Sequence, residues 1–172
     1  ATYFDFNGNP EGPEYRGRFG VHSTLTWDGS AYVLADADGG RWQFEGFDPL
    51  LPAAQRGSFA SYTDPAGNVV AVDARDPTGR IIRIKRTGAD GQKTVTEVFD
   101  YAYHQGAELL GLLEDAVVKQ GTAAGWHTTG SAHYEYYLSG DSKGNPRDLA
   151  TVRLGDGMRG PDGTPEWLDV FH

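Results

Sequence analysis

Residues 62–82 read YTDPAGNVVAVDARDPTGRII, an apolar run between two turn sequences. Gly67, Gly79 and the later Gly91 lie twelve residues apart. Glycine supplies the positive φ angle that tight hairpin turns require, and neighbouring Asp or Asn tolerates it. A turn about every 8–12 residues is typical of successive short antiparallel strands. This segment therefore predicts consecutive β-hairpins.

The rest of the chain repeats this alternation of turns and strands. Further turn sequences are Trp27-Asp28-Gly29, Asp38-Gly39, Asp90-Gly91, Lys143-Gly144-Asn145 and Asp162-Gly163. Residues 80–86, 94–103 and 132–138 alternate apolar with polar side chains or are rich in β-branched and aromatic residues, as half-buried strands are. Pro and Gly cluster at 7–13 and 155–165, which predicts loops. We expect an all-β fold of successive antiparallel hairpins with little or no helix.

Residues 108–119 allow two interpretations. Leu109, Leu112 and Leu113 would lie on one side of an amphipathic helix. Gly111 would destabilise that helix by about 1 kcal/mol relative to Ala. The pair Val117-Val118 favours a strand instead. The pattern alone leaves helix and strand open.

Composition narrows the function classes. The 172 residues carry a formal net charge of −9 and include no cysteine. Because an acidic surface repels phosphate groups, we expect no nucleic-acid partner and no attraction to an anionic membrane surface. Disulfides and thiolate chemistry are excluded, and no apolar run is long enough to suggest membrane insertion. The first residues show no signal peptide and no Met, so we expect a processed or internal segment of a larger protein.

Two segments resemble a known repeat. Residues 62–69 (YTDPAGNV) and 73–82 (DARDPTGRII) both combine an aromatic or acidic residue, a short spacer, Gly, then Asn or Arg and an aliphatic strand. This pattern resembles the YD repeat of RHS proteins, whose core reads Tyr-Asp-x-x-Gly-Arg-aliphatic. The Tyr-Asp pair is degenerate here, because Thr63 separates Tyr62 from Asp64 and no Tyr stands beside Asp73.

The resemblance covers most of the chain. Residues 3–6 (YFDF) and 42–45 (WQFE) look like aromatic-acidic strand motifs of that group. The C-terminal part is similar to the large RHS-like surface proteins of planctomycete-type bacteria, through residues 134–137 (YEYY), 144–145 (GN), 148–149 (DL), 151–152 (TV) and 167–169 (WLD).

The resemblance implies an architecture and a location. RHS repeats form wound β-sheet shells or solenoid-like arrays of hairpins, outside the cell or on its surface, and Leu109–Lys119 would then be a strand. Residues 1–172 would form a single β-rich repeat unit. Its sections are aromatic N-terminal hairpins (1–57), YD-like repeats (58–121) and C-terminal hairpins (122–172).

Both ends of the chain have the pattern of strands, at Thr2–Phe6 and Glu166–Phe171. An exposed apolar strand edge invites pairing with another chain, and a head-to-tail contact that does not close produces a filament. We therefore expect a non-catalytic structural subunit or scaffold fragment of an extracellular or cell-surface RHS-like assembly, which self-associates through its terminal strands. Two alternatives stay open: a secreted carbohydrate-binding or adhesion module, and a wall section of a toxin-encapsulating RHS shell.

No residue set points to catalysis, a cofactor or a metal, so we expect no enzyme. The histidines form no compact ligand set; they are His22, His104, His127, His133 and His172. His127 and His133 would approach each other across a hairpin. Ser131 stands near His133, but a nucleophile elbow and a third triad member are missing.

Two acidic loops raise the question of calcium. The segment Asp36-Ala37-Asp38-Gly39 has the start of a calcium-binding loop, but Phe47 occupies the twelfth position, where a Glu is required. Residues 141–145, followed by Asp148, form a looser acidic loop that contains Lys143. We interpret both as ordinary turns, with weak structural calcium as the alternative.

The aromatic residues also allow two interpretations. Flat aromatic faces stack on the C–H surfaces of sugars, which makes a glycan a conceivable partner. Aromatic side chains also fill sheet cores and form cross-strand pairs. We favour the core interpretation for the four tryptophans, which are Trp27, Trp42, Trp126 and Trp167.

Overall fold

The computed structural model describes residues 4–6, 8, 14–18, 22–90, 93–122, 124–157 and 166–171. These residues form thirteen β-strands and no helix, which confirms the predicted all-β class. The strands are β1 (Phe4–Phe6), β2 (Glu14–Gly17), β3 (Thr24–Trp27), β4 (Ala31–Ala35), β5 (Arg41–Glu45), β6 (Phe59–Thr63), β7 (Val69–Arg75), β8 (Ile81–Asp90), β9 (Lys93–Tyr103), β10 (Leu113–Thr122), β11 (Gly125–Tyr136), β12 (Leu149–Gly155) and β13 (Asp169–Phe171). A helix long and apolar enough to cross a membrane is absent from the described residues.

The chain divides into two compact units, Ala1–Thr94 and Val95–His172. In the N-terminal unit, β1 to β8 follow one another as antiparallel neighbours. In the C-terminal unit, β9 to β13 do the same. Each unit is therefore a run of antiparallel hairpins in which strand order equals chain order, as the spacing of the turn sequences predicts.

Three hairpins of the N-terminal unit close with the same five-residue turn, Asp-x-x-Gly-x, which begins at Asp36, Asp64 or Asp76. In each turn the Asp N–H donates to the carbonyl of the fifth residue, and the glycine N–H donates to the Asp carbonyl. The Asp carboxylate accepts the N–H of the fifth residue at 2.7, 2.8 and 3.0 Å respectively. The two repeat-like segments thus contain one turn structure, with Asp64 equivalent to Asp76, while Asp73 lies within β7.

The turn at Asp76 is held most firmly. Burial alone raises the pKa of the Asp76 carboxyl, but hydrogen bonds from Thr78 and Arg80 outweigh it and lower the pKa to about 2. Gly79 has a φ of 91°, and a Cβ there would lie 2.8 Å from the Cβ of Pro52. Arg75 fixes this turn against β6, because its guanidinium donates to the carbonyls of Gly79 and Phe59 at 3.0 and 2.8 Å.

The C-terminal unit has longer strands and less regular loops. A β-bulge between Val118 and Lys119 shifts the pairing of β10 with β11. The β9–β10 and β11–β12 loops are joined to each other, because Arg147 donates to the Glu108 carbonyl at 2.8 Å and the Glu108 carboxylate accepts the Ser139 N–H. That backbone hydrogen bond from Ser139 lowers the pKa of the Glu108 carboxyl.

The ambiguous residues 108–119 divide into a turn and a strand. Residues 107–111 form turns, and β10 begins at Leu113. The helix interpretation is wrong, and the strand interpretation holds only from Leu113 onward. Gly111, with a φ of 84°, explains the boundary, since its N–H turns back to the His104 carbonyl at 3.1 Å.

Of the two terminal strands, the C-terminal one is shorter than the sequence predicts. Residues 2–3 lie outside the described part of the chain, and β1 covers Phe4–Phe6. At the other end, residues 166–168 are not strand and β13 covers only Asp169–Phe171. The predicted loop at 7–13 lies outside the described residues except for Gly8, as do residues 158–165 of the second predicted loop, Gly91 and the Asp162-Gly163 turn.

The N-terminal unit has one mainly apolar face that is only half covered. Register pairing across the N-terminal unit places one apolar row on the same face: Phe6, Tyr15, Leu25, Leu34, Trp42 and Tyr62. We call this row, with its neighbours Tyr32 and Phe44, the apolar face. Among the described residues, Ala31 and Val98 are the only buried apolar side chains. A sheet normally covers its apolar face with a second layer, and the N-terminal unit leaves its apolar face partly open to solvent.

Candidate functional site

The C-terminal unit carries a row of charged side chains on one sheet face. Asp115, His133 and Arg153 are register partners on β10, β11 and β12. Directly opposed residues of antiparallel strands project from the same face. Glu135, two residues from His133 along β11, lies on that face as well, because side chains alternate along a strand.

His133 lies between two carboxylates. Its Nδ1 is 2.8 Å from the Oδ1 of Asp115, and its Nε2 is 4.0 Å from the Oε1 of Glu135. The side chains of His133 and Asp115 are 27% and 42% exposed, so this pair is in contact with solvent. Strand pairing sets its position, since β10 places Asp115 opposite His133.

Two further ion pairs complete the row. Arg153 Nη2 lies 3.0 Å from Glu135 Oε1 and 3.1 Å from Oε2. Lys119 Nζ lies 2.8 Å from Asp100 Oδ2 across β9 and β10. We call these six residues the charged cluster; its members are Asp100, Asp115, Lys119, His133, Glu135 and Arg153. The Nε of Arg153 is buried and has no hydrogen-bond partner within the described part of the chain.

A cavity of about 660 Å³ opens over this face. Five members of the charged cluster line it, together with Ser131, Thr128 and Trp167. The Trp167 ring lies beside His133, with 6.1 Å between ring centroids and a tilt of 36°. The site therefore combines hydrogen-bonding groups of both charges with the flat ring of Trp167, which is an arrangement suited to binding a polar ligand.

The structure does not join Ser131 and His133 as a nucleophile and base. Both lie on the same face of β11, as their spacing of two residues requires. The ring nitrogens of His133 are directed to Asp115 and Glu135, and its described contacts include no hydrogen bond with Ser131. The geometry offers no activated hydroxyl at this position.

The other histidines are dispersed. His127 and His133 lie on one strand rather than across a hairpin, and His127 pairs with Gln120, so the prediction that they approach each other is wrong. His104 packs edge-on against Tyr136 with 5.7 Å between ring centroids. His22 is exposed, and His172 lies outside the described residues.

Both acidic loops are turns held by their own carboxylates. Asp36 Oδ1 accepts the N–H groups of Asp38 and Gly40 at 3.1 and 2.7 Å. In the second loop, Asp141 Oδ1 accepts the Lys143 N–H at 3.0 Å, and Asn145 donates to Asp148 at 2.9 Å. Within the described ranges, no group of three or more His, Asp or Glu side chains is placed to hold a metal ion.

The tryptophans occupy different settings. Trp27 and Trp42 contact their register partners Tyr32 and Tyr62, with centroid distances of 4.9 and 4.3 Å, as expected for cross-strand pairs. Trp126 is 56% exposed near the β10–β11 turn. Trp167 differs from the other three because it lines the cavity.

Sequence reasoning missed the charged cluster. The only local signal is the alternation Ser131-x-His133-x-Glu135, which places three polar groups on one face of a strand. Asp115 and Arg153 join them through strand register, which the sequence does not display.

Two comparisons with known proteins found no match. The chain matches no protein-family model and no curated protein. The resemblance to RHS/YD-repeat proteins therefore rests on the residues quoted above and stays a prediction.

Proposed function

We propose that this chain is a non-catalytic structural section of a β-sheet scaffold that associates through its outermost strands. The observation that carries the proposal is the state of these two strands. Among the described residues β1 pairs only with β2, and β13 pairs only with β12. An unpaired strand edge presents N–H and C=O groups that another strand can use.

The side chains at both edges are apolar and exposed. Phe6 is 49% exposed, Val170 46% and Phe171 56%. Pairing of β1 from one copy with β13 from the next would cover these side chains and continue both sheets. Such a head-to-tail contact generates a filament when its rotation does not close into a ring. Because each edge has three residues and offers few hydrogen bonds, we expect each contact to be weak and assembly to require high protein concentration.

The repeat-like turns agree with this role and with the RHS/YD resemblance. A surface or extracellular location follows from that resemblance and belongs to the proposal. Hairpins closed by Asp-x-x-Gly-x turns extend a sheet without any catalytic requirement on their side chains.

The test compares edge variants with a matched control by electron microscopy and light-scattering mass measurement over a range of concentrations. The unaltered chain is expected to form regular stacks or filaments as concentration rises. The double variant Phe6→Lys/Val170→Lys places a charge on each edge and is expected to stay monomeric. Leu50→Lys, which changes a 90% exposed side chain in the β5–β6 loop, is expected to assemble normally.

Two outcomes would contradict the proposal. One is a stable, dispersed monomer of the unaltered chain at the highest concentration. The other is assembly that survives the edge charges but is lost in Leu50→Lys, because this would locate the contact in a loop.

A second candidate function is a wall section of an encapsulating shell, and the open apolar face favours it. A cavity of about 410 Å³ lies on that face between Tyr15, Leu34 and Phe47. Phe47, from the β5–β6 loop, is 68% exposed although it contacts Tyr32 with 5.8 Å between ring centroids. A shell section would need neighbouring sections or cargo to cover this face. Strong binding of an apolar fluorescent dye by the isolated chain, lost when adjoining parts of a longer parent chain are added, would support this function over the filament.

A further inference from the structure

The cavity over the charged cluster has a definite charge balance. Two carboxylates (Asp100 and Asp115) and two permanent cations (Lys119 and Arg153) line the cavity and balance one another, and Glu135 beside it adds a third carboxylate. The whole chain also carries a net charge of −9. An anionic ligand would be repelled, and the described residues offer no metal-binding group. The charge balance therefore favours a neutral polar ligand.

The cluster retains hydrogen-bonding capacity toward such a ligand. Arg153 uses only Nη2 in its contacts with Glu135, although a guanidinium has five N–H donors. Lys119 has three donors, of which one bond to Asp100 is described. Asp115 contacts His133 through Oδ1, which leaves Oδ2 able to accept. Donors and acceptors thus stand side by side on one face, and each hydroxyl group of a ligand both donates and accepts.

Trp167 supplies the apolar contact that a sugar ring needs. Its side chain is half-buried and lines the cavity beside His133. Gly155 allows the close approach of this segment to β12, since a Cβ there would lie 2.7 Å from the Glu166 carbonyl oxygen and 3.4 Å from the Trp167 ring. The Leu168 N–H donates to the Leu154 carbonyl at 2.7 Å, which anchors the backbone next to Trp167 on β12.

We infer that this cavity binds a neutral saccharide, with Trp167 stacking on a sugar ring and Arg153, Lys119 and Asp115 bonding its hydroxyl groups. A volume of about 660 Å³ is within the range of pockets that hold small ligands. The inference does not depend on the scaffold function, because the site lies on a sheet face and not on a strand edge.

The test is a titration of the full chain with three neutral hexasaccharides (cellohexaose, maltohexaose and mannohexaose) and one anionic one, hexagalacturonic acid, followed by calorimetry. Saturable binding of at least one neutral hexasaccharide, and weaker or no binding of the anionic one, is expected. Trp167→Ala is expected to weaken that binding by about tenfold or more, since loss of an aromatic contact removes on the order of 1.4 kcal/mol. The matched control Trp126→Ala, which removes a more exposed tryptophan outside the cavity, is expected to leave binding unchanged.

Chemical-shift mapping on the unaltered chain keeps the test independent of whether Trp167→Ala folds. The expected shifts fall on the Trp167 indole and on the backbone of Ser131 and His133. Absence of binding by all three neutral hexasaccharides at millimolar concentration would overturn the inference. Preference for the anionic sugar, or binding that depends on Trp126 and not on Trp167, would overturn the ligand class or the location respectively.

Discussion

The two units build antiparallel sheets by different means. The N-terminal unit uses strands of mostly three to seven residues, closed by a turn that recurs at Asp36, Asp64 and Asp76. The C-terminal unit uses strands β9 to β11 of ten to twelve residues, with a bulge and two interlocked loops. Its charged cluster extends over β9 to β12, whereas one face of the N-terminal unit carries a row of aromatic and aliphatic side chains.

This difference separates contacts that are local in the sequence from contacts between residues far apart in the sequence. In three hairpins of the N-terminal unit, five consecutive residues fix the turn and hence the register of the hairpin. In the C-terminal unit, the ion pairs join side chains on strands whose register is set by other contacts. We therefore expect substitutions in the turns to cost more free energy of unfolding than substitutions in the charged cluster.

The largest effect is expected at Gly79. Gly79→Ala forces a side chain into a φ of 91° and places its Cβ 2.8 Å from Pro52 and 3.0 Å from the backbone N of Gln55. We expect it to lower the free energy of unfolding by about 3 kcal/mol. The equivalent Gly67→Ala has a similar φ of 86° but nothing within 4 Å, so about 1 kcal/mol is expected. Urea unfolding measures both, and equal losses would show that packing against Pro52 does not matter.

The second-largest effect is expected on loss of the Asp76 carboxylate. Asp76→Ala removes the acceptor of the Thr78 and Arg80 hydrogen bonds, and we expect a loss of about 2 kcal/mol. Asp73→Ala, only three residues away on an exposed position of β7, is expected to change stability by less than about 0.5 kcal/mol. Thermal unfolding of the two variants makes the comparison, and an equal decrease in both would remove the special role of the turn.

Acid is expected to weaken the N-terminal unit through the same carboxylate. The folded-state pKa of Asp76 is about 2, below its ordinary value of 3.8. Its contribution is therefore complete above about pH 4 and is lost as the pH falls toward 2. Allowing for solvent screening, we expect about 1 kcal/mol from this group. Unfolding curves between pH 5 and about 2 should be less steep in pH for Asp76→Ala than for the unaltered chain; identical pH slopes would contradict the assignment.

The smallest effect is expected in the charged cluster. Lys119→Met breaks the 2.8 Å pair with Asp100 on a partly exposed face, where ion pairs contribute little. We expect a loss below about 1 kcal/mol, which high salt diminishes. Lys143→Met in the exposed β11–β12 loop serves as the control and should have no measurable effect. A loss from Lys119→Met as large as that from Asp76→Ala would reverse the proposed order of the two units.

The sequence predicts the fold well where structure is local. The turns at Gly39, Gly67 and Gly79 can be predicted because the Asp and the Gly that form each turn lie within five residues of each other. The structure of the segment from Leu109 is harder to predict, because a turn made by Gly111 interrupts an apolar run that continues into β10. The helical spacing of its leucines does not reflect a helix. Leu109 and Leu112 lie in the loop, and Leu113 begins β10.

The candidate site could not be predicted from the sequence, because its contacts are not local. Asp115, His133 and Arg153 are far apart in sequence and meet only through the register of three strands. A one-residue shift of register would move a side chain to the other face, so composition and spacing do not identify the row. The same limit explains the incorrect expectation that His127 and His133 meet across a hairpin.

The most direct test of the scaffold account is hydrogen exchange of the backbone amides in β1 and β13, measured by mass spectrometry at low and high protein concentration. Edge pairing predicts that exchange in Phe4–Phe6 and Asp169–Phe171 slows as concentration rises, while exchange in the exposed β5–β6 loop around Leu50 stays the same. Exchange rates in both edge strands that do not change over the whole concentration range would contradict the account.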